Sequence, residues 1–213
     1  MARAFAEIAF TPAVRAAQAL AGSARVYDRF LAPEAEPADR LGPEEAAFIA
    51  ARDGFYQATV SETGWPYVQF RGGPPGFLRV LDDRTIGYAD LRGNRQYVSI
   101  GNLGGDGRIS LILMDYPNRR RLKVMGRARS VDLADDPELV ARLAVEGYPG
   151  RPERAVLIEI AGLDWNCPAH IPQRLTIAEL EAHLAPVRRE FTRLEAENAW
   201  LRERLAVLEP GAG

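Results

Sequence analysis

The 213-residue chain has one cysteine, Cys167, so no disulfide can close within it, which favours a reducing compartment. Its two histidines, His170 and His183, leave too few ligands for a structural zinc site, which normally takes four. A Cys167–His170 nucleophile pair is interrupted by Pro168 and has no oxyanion motif beside it. Charge of one sign is also lacking. With 27 basic and 29 acidic residues the formal net charge is −2, which gives no general attraction to nucleic acid or anionic lipid. No segment approaches the roughly 20 apolar residues of a membrane span, and MARAFAEIAFTP holds no apolar run of signal-peptide length. No G-x-G-x-x-G follows a strand pattern, which leaves a Rossmann site without support. These absences set the expectation of a cytoplasmic protein with no metal and with neither nucleic acid nor membrane as partner.

What is present is apolar content of 47%, enough for one sizeable core with appendages. Residues 1–53 read as a helical arm. Thr11-Pro12 is a helix start, a hydroxyl cap followed by a proline that needs no N–H, and Gly22 is a stop. Residues 32–40 are polar and proline-bearing, a connector, and a second helix is expected from Pro43 to Asp53-Gly54.

Residues 54–163 read as strands. Phe55–Val60 and Trp65–Phe70 flank a Ser61–Gly64 turn, and Phe77–Leu81 and Thr85–Asp90 flank Asp82-Asp83-Arg84. Between them Gly72-Gly73-Pro74-Pro75-Gly76 is a loop that lets backbone approach a ligand closely. Arg108–Asp115 is mostly apolar and fits a central strand. Arg120–Val131 follows, with Leu122, Val124 and Ala128 alternating against Arg121, Lys123 and Arg127. Pro137–Val145 is expected to be helical, with Leu139, Val140 and Leu143 buried, and Ala155–Ile160 is a last strand. Six to seven strands with closely spaced turns predict an antiparallel barrel in a mainly β (α+β) protein.

Within this region Gln69 and Arg71 fall on one strand, and Asn94 and Arg95 fall at Gly93-Asn94-Arg95-Gln96, where a helix is expected to open. A helix N-terminus presents unpaired N–H groups and partial positive charge, and arginine adds a bidentate donor. The combination suits a phosphate-bearing ligand.

Residues 164–176, with DWNCPAH, read as a capping segment, and residues 177–209 as a long helix. Thr176-Ile177-Ala178-Glu179 is a capping box. Beyond it Ile177, Leu180, Leu184, Val187, Phe191, Leu194, Asn198, Leu201, Leu205 and Leu208 alternate three and four apart. That is a heptad pattern, with Asn198 at an a position where asparagine typically fixes register. Pairing in a homodimer is expected, and packing on the chain's own barrel is the alternative. Pro186 is expected to kink or break the helix.

Four stretches, FYQATVSETGWPYVQFRGGPPGF (55–77), ADLRGNRQYVSIGNL (89–103), LILMDYPNRRRLKVMGRAR (111–129) and LDWNCPAHIPQRLT (163–176), occur in the order and spacing of one family. The chain resembles the flavin-nucleotide-binding proteins related to pyridoxamine 5′-phosphate oxidase. The resemblance implies a split β-barrel that dimerises and holds FMN at the dimer interface. It places Gln69, Phe70 and Arg71 along the flavin, and Tyr88, Asp90 and Leu91 on the next wall. Gly93, Asn94 and Arg95 fall at the phosphate, with Gln96 adjacent, and Arg121 and Lys123 on the ring and phosphate side. Trp165 and Arg174 match residues that reach the flavin bound mainly by the other subunit. The oxidase pattern has arginine where Gln69 stands, Ser-Arg-Lys where Gly93-Asn94-Arg95 stands and glutamine where Leu122 stands, so the flavin site is carried over better than the pyridoxal-phosphate site. The implied activity is that of a flavin-dependent oxidoreductase acting on a small-molecule substrate or electron donor. The alternatives are a non-enzymatic flavin or haem carrier or sensor, and an F420-dependent reductase.

Overall fold

The computed structural model describes residues 3–165 and 168–208. Asn166 and Cys167 lie outside them, and with them the thiol of the Cys167–His170 pair. The chain divides into two compact units, one up to Ile171 and one from Pro172 onward.

The first unit is built on seven antiparallel strands: β1 (Gly54–Val60), β2 (Pro66–Gly72), β3 (Arg79–Val80), β4 (Thr85–Leu91), β5 (Arg108–Asp115), β6 (Arg120–Asp132) and β7 (Pro152–Trp165), in the order β2-β1-β5-β6-β7-β4-β3. With seven helices among the described residues the fold is α+β, an antiparallel split barrel. The strands β2 and β3 end the sheet, and the line between β2 and β4 carries no ladder. Directly paired residues share a face, so the register fixes what points inward. Phe55, Gln57, Leu111, Leu113, Leu122, Val124, Ile86, Tyr88 and Ile158 form the interior and are buried. The alternation expected along β6 is observed.

The last strand is longer than its apolar run suggested. It starts at Pro152 and continues past a register shift opposite Met125/Gly126 to Trp165. At that shift a Cβ on Gly126 would lie 2.3 Å from the Glu159 carbonyl oxygen, so the irregularity needs a glycine. The third strand is shorter than expected, two residues, because Pro74–Phe77 is taken up by a turn.

Helices cover the sheet. The arm holds α1 (Arg3–Ala9), α2 (Pro12–Leu20), α3 (Ala24–Asp28) and α4 (Pro43–Ala50). Thr11 caps α2 by accepting from the Val14 N–H, and Gly22 follows with φ +72°. Phe48 and Ile49 of α4 enter the core. The helix α5 (Val98–Gly105) packs one face on β1, β2 and β6, where Asn102 donates to Thr59 at 2.9 Å and Ser99 to Gln69 at 2.9 Å. The helix α6 (Pro137–Leu143) seats Val140 and Leu143 on Ala155 and Leu157, the outward face of β7.

The second unit is α7 (Ile177–Leu208) with the residues that lead into it. Its capping box is formed: the Glu179 N–H donates to Thr176 Oγ1 at 3.2 Å, and the Thr176 N–H donates to Glu179 Oε2 at 2.8 Å. The helix runs through Pro186 without a break. A proline removes one backbone donor, and the ladder on both sides of it persists. No described helix is long and apolar enough to cross a membrane.

Candidate functional site

The seam between β2 and β4 is closed by side chains. Arg71 and Asp90 both point inward, and Arg71 Nη1 lies 2.7 Å from Asp90 Oδ1. Asp90 Oδ2 accepts from Arg154 Nη1 at 3.0 Å, and Arg154 Nε donates to Asp132 at 3.1 Å. Asp90 is thus a buried carboxylate held between two guanidiniums. Burial works against the charge of Arg154, yet its bonds to Asp132 and Asp90 keep its pKa above the ordinary value. Beneath this group the Tyr88 hydroxyl donates to Gln57 Oε1 at 2.8 Å, and burial pushes its pKa up. Gln57 Nε2 and Arg71 Nε are buried donors without a hydrogen-bond partner among the described residues. Native interiors rarely leave such donors unmatched, and Arg71 lines two cavities.

The first of these, about 210 Å³, gathers Gln69, Arg71, Asp90, Leu91, Gly93, Asn94, Arg95 and Gln96 from the residues predicted by sequence. Tyr67, Tyr97, Val98, Ser99 and Ile100 complete it. The loop before α5 makes the cavity. Asn94 Oδ1 accepts from the Gln96 N–H at 3.2 Å, Arg95 adopts φ +63°, and Tyr97 caps the helix at φ +54°. The helix therefore opens at Val98 and not at Gly93–Gln96 as expected, because two left-handed residues turn the chain first. The first helical bond runs from the Gly101 N–H to the Tyr97 carbonyl, so the N–H groups of Val98, Ser99 and Ile100 precede the ladder. Arg95, which lines the cavity, makes no ion pair among the described residues, whereas the Arg71 charge is shared with Asp90.

The second cavity, about 240 Å³, lies across the Arg71–Asp90 pair. It adds Phe70, Tyr88 and Arg92 to a wall from α6 and the loop after it, including Val145 and Tyr148.

The remaining predicted residues are not among those lining the first cavity. Arg121 and Lys123 alternate with the buried Leu122 and Val124 and lie on the outer face, where Lys123 donates to Asp164 at 3.1 Å and covers the Phe5 ring. Phe70 packs on that same outer side, against Tyr56. Trp165 is held by the arm: its indole N–H donates to Glu45 at 2.7 Å, and its ring meets Phe48 edge-on under Arg120. Arg174 belongs to the second unit. Sequence reasoning passed over Tyr67, Tyr97, Ser99 and Arg154. For Tyr67, the signal available was its two-residue spacing from Gln69 and Arg71.

A half-open barrel of seven antiparallel strands, with arginine and a helix start beside one cavity at its seam, defines a split-barrel protein. The sequence model of pyridoxamine 5′-phosphate oxidase matches residues 41–162, more than half of the chain, and the protein belongs to that family. Among solved structures it is similar to a pyridoxamine 5′-phosphate oxidase-like protein from Lactobacillus delbrueckii, with 22% identity, 59% of this chain and 94% of that chain covered, and a TM-score of 0.46. It is also similar to an FMN-binding protein from Syntrophomonas wolfei, at 16% identity with 58% and 85% covered and a TM-score of 0.45. An F420 reductase matches at 17% identity, with 58% and 98% covered and a TM-score of 0.41. No curated protein matches the chain.

Proposed function

We propose that this chain binds FMN, with the phosphate in the cavity before α5, and acts as a flavin-dependent oxidoreductase. The observation that carries the reading is Arg95, a cation without an ion pair among the described residues, beside the first-turn N–H groups of α5. Helix-end donors and arginine together suit a phosphate monoester. The orphaned Nε of Arg71 would gain an acceptor from the ligand, and Gln69 and Asn94 would position the polar chain that leads from the phosphate. Bound flavin would supply the electron transfer.

A cavity of about 210 Å³ is smaller than the ~300–1,000 Å³ of a complete small-molecule site. The rest of the ligand therefore needs another cover, and a second copy of the chain is the cover proposed, with the flavin at the interface of a cytoplasmic homodimer. Arg121 and Lys123 would meet the ligand from the outer face, and Arg174 from the other subunit. Trp165 would have to exchange Glu45 for the ligand.

The carboxylate in the seam is already paired, and the Tyr88 hydroxyl is held neutral by burial. Neither is poised as an acid or base, an arrangement that also suits a carrier. NAD(P)H-driven turnover of an acceptor separates enzyme from carrier, and parallel titration with F420 and haem separates the cofactors. The site itself is tested by titrating FMN into Arg95→Ala. A charge-assisted hydrogen bond is worth about 1.5–3 kcal/mol, so affinity should fall about tenfold or more. Unchanged affinity removes Arg95 from the site.

A further inference from the structure

We infer that α7 pairs with α7 of a second copy of this chain as a parallel, in-register, two-stranded coiled coil. The inference does not depend on the flavin reading. Its basis is one exposed stripe. The a positions are Ile177, Leu184, Phe191, Asn198 and Leu205, and the d positions between and after them are all leucine or valine. Every one of these side chains is exposed; Val187 and Phe191 each keep 63% of their surface. A helix of 32 residues that leaves such a stripe bare has its apolar partner still to find.

Asn198 selects the occupant. In a parallel pair a faces a and d faces d; in an antiparallel pair a faces d. Because every d position is leucine or valine, an antiparallel arrangement would bury the Asn198 amide against hydrocarbon. A buried polar group without a partner costs about 1–3 kcal/mol. A parallel pair shifted by one heptad would set the amide against Phe191 or Leu205. Only the in-register parallel pair of identical helices gives the amide its own copy as donor and acceptor, the arrangement by which an a-position asparagine specifies two strands.

The flanking charges fit. Across a parallel pair Glu197 faces Arg202 favourably. Glu190 faces Glu195, and that repulsion is softened on the helix itself by Arg193, which lies 2.8 Å from Glu190 and 2.9 Å from Glu197. Pro186 falls at a c position, on the outside of the pair, so the residue that weakens the ladder does not enter the contact.

The test uses the full chain in a Cys167→Ser background with one new cysteine at a time. Val187→Cys and Leu201→Cys place thiols at two d positions about 21 Å apart along the helix. Ala196→Cys places one on the outer f position. Mild oxidation should convert both d variants to disulfide-linked dimers, with at least tenfold more dimer than Ala196→Cys. An antiparallel pair can bring together its own thiols at only one of the two d sites. Cross-linking at one d site alone, at neither, or equally at Ala196 overturns the proposal. Helical content by circular dichroism confirms that each variant is folded. FMN affinity is not read here, so failure of the coil leaves the flavin site standing, and the reverse also holds.

Discussion

The wall of the barrel and its seam are closed by different physics. From β1 through β5, β6 and β7 to β4 the strands are joined by backbone ladders, and Phe55, Leu111, Leu122 and Val124 fill the space behind them. Between β2 and β4 there is no ladder, and Arg71, Asp90 and Arg154 span the gap. The wall draws its stability from many small, replaceable contacts. The seam draws little net stability from its charges, because desolvation offsets their attraction, but each charge depends on the others. A ligand site gains from the second arrangement, since side chains can exchange partners where a ladder cannot.

The largest effect should come from the seam. Asp90→Asn leaves Arg71 and Arg154 without their shared carboxylate. Removing one member of a buried pair costs about 3–5 kcal/mol. Thermal unfolding should show a fall of roughly 6–20 °C, at 2–4 °C per kcal/mol for a chain of this size. A fall below about 2 °C would mean the seam is not held by this pair. On the wall, Leu122→Ala opens a cavity behind fully ladder-bonded strands and should cost about 2–5 kcal/mol with flavin affinity little changed.

Tyr88→Phe removes the donor to Gln57 and should cost about 1–3 kcal/mol. It carries a pH signature as well. Burial raises the folded Tyr88 pKa above the unfolded value near 10.0. The unfolded chain therefore binds fewer protons above pH 10, and stability falls as pH rises through that point. The phenylalanine variant should lose this part of the alkaline decline, up to about 1.4 kcal/mol per pH unit. Denaturant titrations at pH 9 and 11 read it directly, and parallel curves would place Tyr88 outside the linkage. The smallest stability effect is expected at Arg95→Ala, within about 0.5 kcal/mol for an exposed residue without an ion pair, although it should weaken FMN. A stability loss matching the affinity loss would mean that Arg95 supports the loop and does not hold the phosphate.

Much of the wall was legible because period-2 alternation is a strong signal. Arg108–Asp115 was read with its observed bounds, and the buried set of β6 followed from Leu122, Val124 and Ala128. The Thr176–Glu179 cap was equally plain, since capping chemistry is local. The seam was legible as a set of residues and not as an arrangement. That Arg121 and Lys123 lie on the face opposite Arg71 depends on how β6 registers against β5, β5 against β1 and β1 against β2, which alternation within one strand cannot reveal. The start of α5 was missed because left-handed Arg95 and Tyr97 carry no propensity signal. The role of Arg154 was missed because its partners, Asp90 and Asp132, are distant in the chain.

The missing ladder has a consequence for solubility. A barrel closed all round has no edges, whereas this one keeps two, along β2 and β3. An unpaired edge can template strands from other molecules. Here one edge is only two residues long, and the other runs from Pro66 to the Gly72-Gly73-Pro74-Pro75 loop, so an added strand would meet a proline or a turn at either end. The seam is thus bordered by sequence poorly suited to recruiting a foreign strand, so leaving it without a ladder carries little risk of edge-to-edge pairing.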